Sequence, residues 1–379
     1  MKRPFSLPLL VFGVITLWTA TDGGAESNSA ADTKKGALFG FTPFPYDFTM
    51  EAVTKTHETV VGNSTLYALH YDDGVPWKEM LAGAPLPPSI QKKWDDDAHG
   101  IPAGRTVYVG LAPLATDRKS LAPSAGDKGK GPVPPELKDI AFDDPRFMSA
   151  YLNYAQLAVR RFHPRFLNIG IEAGGVLLED AKRWEQFEHL FAHVRSQVKK
   201  DAPEMQVGIS FSLGRLRADG PSKRARGLIA ESDFLGLSFY PSASAFDEKF
   251  GLPPYGSGSD AWRKPLAWVR SYTDKPIALC ETGYTTQNID LPAFQLVMKG
   301  DESAQADYVR ELFDIARRDR YAFVVWFLAI DYDKLYAKMP PGSDVMKLWR
   351  NVGLIDGEGK PKKAWEEWKK GLGKSLKSE

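Results

Sequence analysis

Two rhythms alternate along the 379-residue chain. Short β-rich apolar runs fall at 36–42, 65–70, 106–112, 166–172, 206–213, 234–240, 276–281 and 321–327. Between them, apolar residues recur at helical spacing over 51–61, 145–162, 181–198, 261–272 and 304–318. Weaker helical patterns lie at 89–94 and 222–230, and a closing one at 363–372. Strands that alternate with helices predict parallel βαβ units. The run Ala322-Phe-Val-Val-Trp-Phe327 is apolar at every position, as expected of a parallel strand covered on both faces. Eight such units without a glycine-rich first turn predict an α/β fold, a closed (β/α)8 TIM barrel, in place of an open doubly wound sheet. Such a barrel typically needs about 250 residues, so long βα-loop insertions are expected. The candidates are 115–144, 241–260 and 284–302, all following strands. Barrel enzymes keep their sites at that face.

The first residues do not belong to this pattern. Lys2 and Arg3 precede an apolar run from Phe5 to Ala20, followed by a small, polar stretch with Gly23 and Ala25. This is the order of a secretory signal. The run is shorter than the roughly 20 residues that span a bilayer. Residues 1–25 are therefore read as a signal, 26–35 as a flexible linker and 36–375 as the barrel domain. A secreted or periplasmic protein is expected, with an uncleaved membrane anchor as the alternative. No other stretch suits stable membrane insertion. With 49 Lys and Arg against 48 Asp and Glu, the chain has no field to gather a polyanion, so nucleic acid is not an expected partner. The single Cys280 excludes an internal disulfide and any cysteine-rich metal site.

Two strand ends carry a carboxylate. The fourth candidate reads Phe166-Leu-Asn-Ile-Gly-Ile-Glu172, and the two-residue period places Asn168, Gly170 and Glu172 on one face. The seventh reads Pro276-Ile-Ala-Leu-Cys-Glu281, with Cys280 facing away from Glu281. Strands four and seven oppose each other across a barrel mouth. Two carboxyl groups there match the needs of glycosidic bond cleavage, one as acid and base and one as nucleophile. A helix cap or a loop-lysine partner is the alternative for either. At the end of the second strand, His70 and Asp72 share a face and suit sugar hydroxyls, while Trp77 offers a ring for stacking; the alternative is a turn at Asp73-Gly74 with Trp77 covering the barrel end. His189 and His193, four apart on a helix, have no third ligand in view. No metal site is expected.

Glu281-Thr-Gly-Tyr284 and Asp233-Phe-Leu-Gly-Leu-Ser-Phe-Tyr-Pro241, together with Val352-Gly-Leu-Ile-Asp-Gly-Glu-Gly-Lys-Pro361 leading into Ala364-Trp365, carry a resemblance. The chain resembles the retaining glycoside hydrolases of clan A, and most of all the endo-β-1,4-galactanase family. The motifs follow strands four, six, seven and eight. The resemblance implies Glu172 as general acid/base, Glu281 as nucleophile, Tyr240 as its hydrogen-bond donor and Trp326 as the floor beneath the reacting sugar. One position departs from the clan: Ile171 stands where Asn precedes the acid/base. Either Asn168 or a loop residue takes over the sugar contact, or the site is weak or lapsed. The resemblance thus implies an exported hydrolase of a β-linked poly- or oligosaccharide, a monomer needing no metal or organic cofactor. Its rival is a catalytically lapsed barrel that binds carbohydrate.

Overall fold

A computed structural model of the chain describes residues 36–340 and 343–377. The segments read as signal and linker lie outside the described residues. Eight strand–helix units follow in order: β1 (Leu38–Phe41) and α1 (Met50–Gly62), β2 (Leu66–Tyr71) and α2 (Pro88–His99), β3 (Thr106–Leu111) and α3 (Pro145–Phe162), β4 (Phe166–Asn168) and α4 (Ala181–Asp201). Then come β5 (Gln206–Gly208, resumed at Ser210–Ser212) and α5 (Arg226–Glu231), β6 (Leu235–Phe239) and α6 (Asp260–Tyr272), β7 (Ile277–Thr282) and α7 (Glu302–Arg318), β8 (Phe323–Trp326) and α8 (Lys363–Lys377). Every expected strand and helix has its counterpart.

All strand pairs of the barrel wall are parallel. One sheet orders β2, β3, β4 and the first half of β5; the other runs from the second half of β5 through β6, β7 and β8 to β1. The two join through β5 itself, where Ile169 N donates to Gly208 O at 3.0 Å and Ser210 N to Gly170 O at 3.1 Å. Across the other seam, Thr65 N donates to Phe39 O at 2.7 Å. There Gly40 lies so close to β2 that a Cβ would come within 2.4 Å of Leu66 O, so a residue without a side chain is required.

Strand alternation sorts the core into two layers. Inside the barrel lie Leu38, Ala68, Tyr108, Phe166, Phe234, Cys280, Phe323 and Val325. Phe323 packs at 4.8 Å from both Tyr108 and Phe166, closing the floor with aromatic rings. Between wall and helices lie Phe39, Val109, Leu167, Leu237, Leu279, Val324 and Trp326. This double coverage is why the strands read as unbroken apolar runs.

The fourth strand is shorter than its pattern suggests. Regular strand geometry ends at Asn168, although Ile169, Gly170 and Ile171 still bond the flanking strands; the Asn168 side-chain oxygen accepts from Gly170 N at 2.9 Å. This local bond bends the chain away from a regular pleat, and two residues on Glu172 adopts a left-handed φ of 48°. The single face predicted for Asn168, Gly170 and Glu172 is thereby lost.

The insertions gather at the C-terminal mouth. The β3 loop holds a hairpin of Ser124–Gly126 with Gly129–Gly131, the β6 loop a short helix Ser244–Lys249, and the β7 loop a hairpin of Ile289–Leu291 with Leu296–Met298. A fourth long loop, 327–362, follows β8. No helix among the described residues is long and apolar enough to cross a membrane.

Candidate active site

Glu281 reaches the mouth through an irregularity in β7. Leu279 pairs with Leu237 of β6, yet Glu281 pairs with the very next residue, Ser238; against β8 the register also slips between Leu279 and Thr282. One extra residue, Cys280, is accommodated as a bulge, a device that re-aims a side chain. Cys280 stays in the barrel interior, and Glu281 after it also points inward. The expectation that the two face opposite ways is corrected: it assumed an unbroken pleat. Burial pushes the Cys280 thiol up to about 12, so it is an inert interior group.

The Glu281 side chain is almost enclosed and accepts a hydrogen bond from the Tyr240 hydroxyl. Burial, then the nearby Glu172, pushes the Glu281 carboxyl up to about 8, while the Tyr240 bond and the charge of Arg118 pull the other way. Tyr240 is itself tied to Trp349. Its phenol lies well above the ordinary range because of burial and the adjoining carboxylate.

Glu172 is held differently. Arg118, from the β3 insertion, donates from Nε to Glu172 Oε2 at 3.0 Å and forks onto Asp72 with bonds of 2.9 and 2.8 Å. The Arg118 side chain is only 14% exposed, so one cation bridges two carboxylates in a largely desolvated place. The Glu172 amide donates to Ser210 Oγ at 2.8 Å. His70 lies beside this cluster, its ring 5.9 Å from Phe44 and 6.3 Å from Phe327, edge to face. Burial lowers its basicity, and its Nδ1 has no partner.

The cavity between these groups has a volume of about 130 Å³ and is lined by Glu172, Glu281, Tyr240 and the serines Ser212, Ser238 and Ser242. Its outer wall is Phe246, Met298, Leu348 and Trp349. A third carboxyl, Asp247, faces it and accepts from the Tyr255 hydroxyl; burial raises its pKa. The β8 loop that supplies Trp349 is pinned by a buried ion pair, Lys362 to Asp331 at 2.6 Å.

The structure thus brings together Glu172, Glu281, Tyr240, Asp72 and His70. Three other expected residues sit elsewhere. Trp77 is fully buried, donates to Ala122 O at 2.7 Å and packs 5.3 Å from Phe147; it covers the barrel end and offers no free ring. Trp326 is also fully buried, with its indole on Val352 O at 2.8 Å. It lies on the helix side of β8, and the next residue, Phe327, turns to the site 6.3 Å from Tyr240. Asn168 is fully buried, donating to Tyr108 Oη and Ser210 Oγ at 3.1 Å each. It supports the backbone of Glu172 from below and is out of reach of a sugar. Ile171 is packed down onto Gly110. Arg118, Asp247, Tyr255 and Trp349 were not anticipated: they stand in loops that carry no period. Phe327 was accessible to strand parity, being two residues beyond the inward Val325. Among the described residues no three potential metal ligands converge, and His189 instead pairs with Asp143 at 3.1 Å.

No family model matches the chain, nor does any curated relative. Solved structures do. The GH53 catalytic domain of Ignisphaera aggregans is 19% identical, over 84% of this chain and 87% of that one, with a TM-score of 0.56. The exo-β-1,4-mannosidase Op5Man5 from Opitutaceae bacterium strain TAV5 is 14% identical over 90% and 60%, at 0.62. GH5_18 from Streptomyces cattleya, in complex with GlcNAc, is 14% identical over 90% and 81%, at 0.61. At these identities the likeness defines the fold, a (β/α)8 barrel with parallel strands.

Proposed function

We propose that this protein is a retaining glycoside hydrolase, exported to act on a β-linked poly- or oligosaccharide. The observation that carries the reading is the pair Glu172 and Glu281, facing one cavity from the ends of β4 and β7, with Tyr240 bonded to Glu281. The neighbours' printed names, a mannosidase and glycoside hydrolase domains, lend support by analogy of fold.

In the reaction, Glu281 attacks the anomeric carbon while Glu172 gives its proton to the departing glycosidic oxygen. Water then hydrolyses the glycosyl–Glu281 ester, with Glu172 taking the water's proton. In the resting site burial favours the protonated form of Glu281, while Arg118 bonds the Glu172 carboxyl. Productive binding moves that proton to Glu172 and frees Glu281 as the nucleophile. Ile171 supplies no polar contact, so the hydroxyl beside the anomeric carbon is met by His70 or by the Asp72–Arg118 pair.

Reducing-sugar release from a panel of β-linked glycans, galactan included, tests this. Wild-type protein is expected to turn over at least one glycan, and Glu281→Gln to lose roughly 10³-fold or more. The first product, read by NMR, is expected to keep the β configuration. An α product, or an active Glu281→Gln variant, overturns the roles.

A further inference from the structure

The cavity's outer wall continues into an apolar surface that the proposed chemistry does not use. Phe246, a lining residue, stands 5.0 Å from Phe250 and 5.4 Å from Phe294, and those two rings are 6.1 Å apart. Phe246 and Phe250 come from the β6 loop, Phe294 from the β7 hairpin. Beneath them lie Ile289, Leu291 and Met298, a small cluster separate from the main core. Phe250 is 49% exposed, one of three large hydrophobic side chains left exposed among the described residues. A three-ring surface of this kind beside a cleft marks a place where something docks.

The cavity and the shelf are complementary in character. The cavity presents hydroxyls, including a buried Ser238 Oγ without a partner, while the shelf presents ring faces and edges and no charge of its own. A pyranose has the matching division, hydroxyls at its rim and C–H groups on its faces. Aromatic rings take up such apolar faces over a large contact area.

We propose that Phe246, Phe250 and Phe294 form the platform for the sugar next to the one held between Glu172 and Glu281. The substrate is then a chain of at least two sugars, recognised in part by stacking. This assignment rests on the glycosidase reading above.

The test compares an aryl β-monoglycoside with the matching β-linked oligosaccharide, for wild type, Phe250→Ala and Phe294→Ala. Wild type is expected to prefer the oligosaccharide. Each variant is expected to lose about tenfold in kcat/KM on it, through KM, and to stay within about twofold on the monoglycoside. Phe250→Trp, which keeps a ring, should retain the preference. Equal losses on both substrates, or none on either, overturn the shelf. A companion measurement separates the two ideas: calorimetric binding of the same oligosaccharide to Glu281→Gln, with and without Phe250→Ala. Weaker binding with Phe250→Ala, where the wild type itself hydrolyses no glycan, sinks the hydrolase and keeps the shelf. Unchanged binding sinks the shelf alone, and no glycan binding at all sinks both.

Discussion

Glu281 and Glu172 arrive at the same cavity by opposite means. Glu281 is the fifth residue of a six-residue strand buried throughout, and a bulge inside that strand aims it. Its partner is a neutral phenol from the adjacent strand. Glu172 lies beyond a three-residue strand, in a left-handed conformation that costs a non-glycine residue on the order of 1 kcal/mol. Its partner is a guanidinium from a long loop. One carboxyl is held by the wall of the barrel, the other by what the loops bring over it. On the proposed roles, a residue that forms a covalent bond needs a fixed place. One that passes a proton back and forth needs a partner able to shift with the charge, and a loop arginine forked between two carboxylates supplies that.

Removing the loop's contribution is the severest test of this contrast. Arg118→Gln leaves Asp72 and Glu172 close together without their shared cation, and breaking such a desolvated cluster costs about 3–5 kcal/mol. Most of that loss is expected in kcat, with kcat/KM down about 10²-fold and a lower unfolding midpoint. Arg118→Lys should recover only part, since a single ammonium nitrogen cannot keep the planar two-bond grip on Asp72 while also reaching Glu172. Full activity in Arg118→Gln would mean that Glu172 needs no partner, and the contrast would collapse.

The wall's contribution shows in the pH dependence of stability. Glu281 titrates near 8 when folded, against an ordinary value of 4.5. Between those values the folded protein keeps a proton that the unfolded chain has released, so stability falls as pH rises through the window. Glu281→Gln removes this term. Its unfolding midpoint is expected to match wild type near pH 4.5 and to exceed it by a few degrees near pH 8, because a domain of this size moves only a few degrees per kcal/mol. A midpoint difference that stays flat with pH would show that Glu281 is already ionised at neutrality.

How much of this was legible in the sequence follows the same division. The eight strands and eight helices stand out because a doubly covered strand is apolar at every position and a helix is not. Glu172, Glu281 and Tyr240 stand out because they close apolar runs in the sequence. The same double coverage hides which way each side chain points, since Trp326 and Phe327 suit either face. Parity then decides, and a bulge changes parity without altering the apolar pattern, as at Cys280. Asn168 misled for a related reason: a polar residue on the inner face looks like a ligand until its side chain is seen ending the strand. Arg118, Asp247 and Trp349 had no signal, because only the folded loops bring them to the mouth.

Asn168 therefore offers the finest test of where structure ends and recognition begins. It ties Tyr108 and Ser210 together and caps Gly170 N, and Ser210 in turn receives the Glu172 amide. Asn168→Ala leaves those buried groups short of partners, at a cost of about 1–3 kcal/mol, read from denaturant unfolding. Turnover should fall less than tenfold, and through kcat, because Glu172 loses backbone support while the sugar loses nothing it touches. The opposite pattern, stability retained and KM raised, would put Asn168 back in the cleft as a sugar ligand. It would also require β4 to run on as a regular strand to Glu172, with all three polar residues on one face.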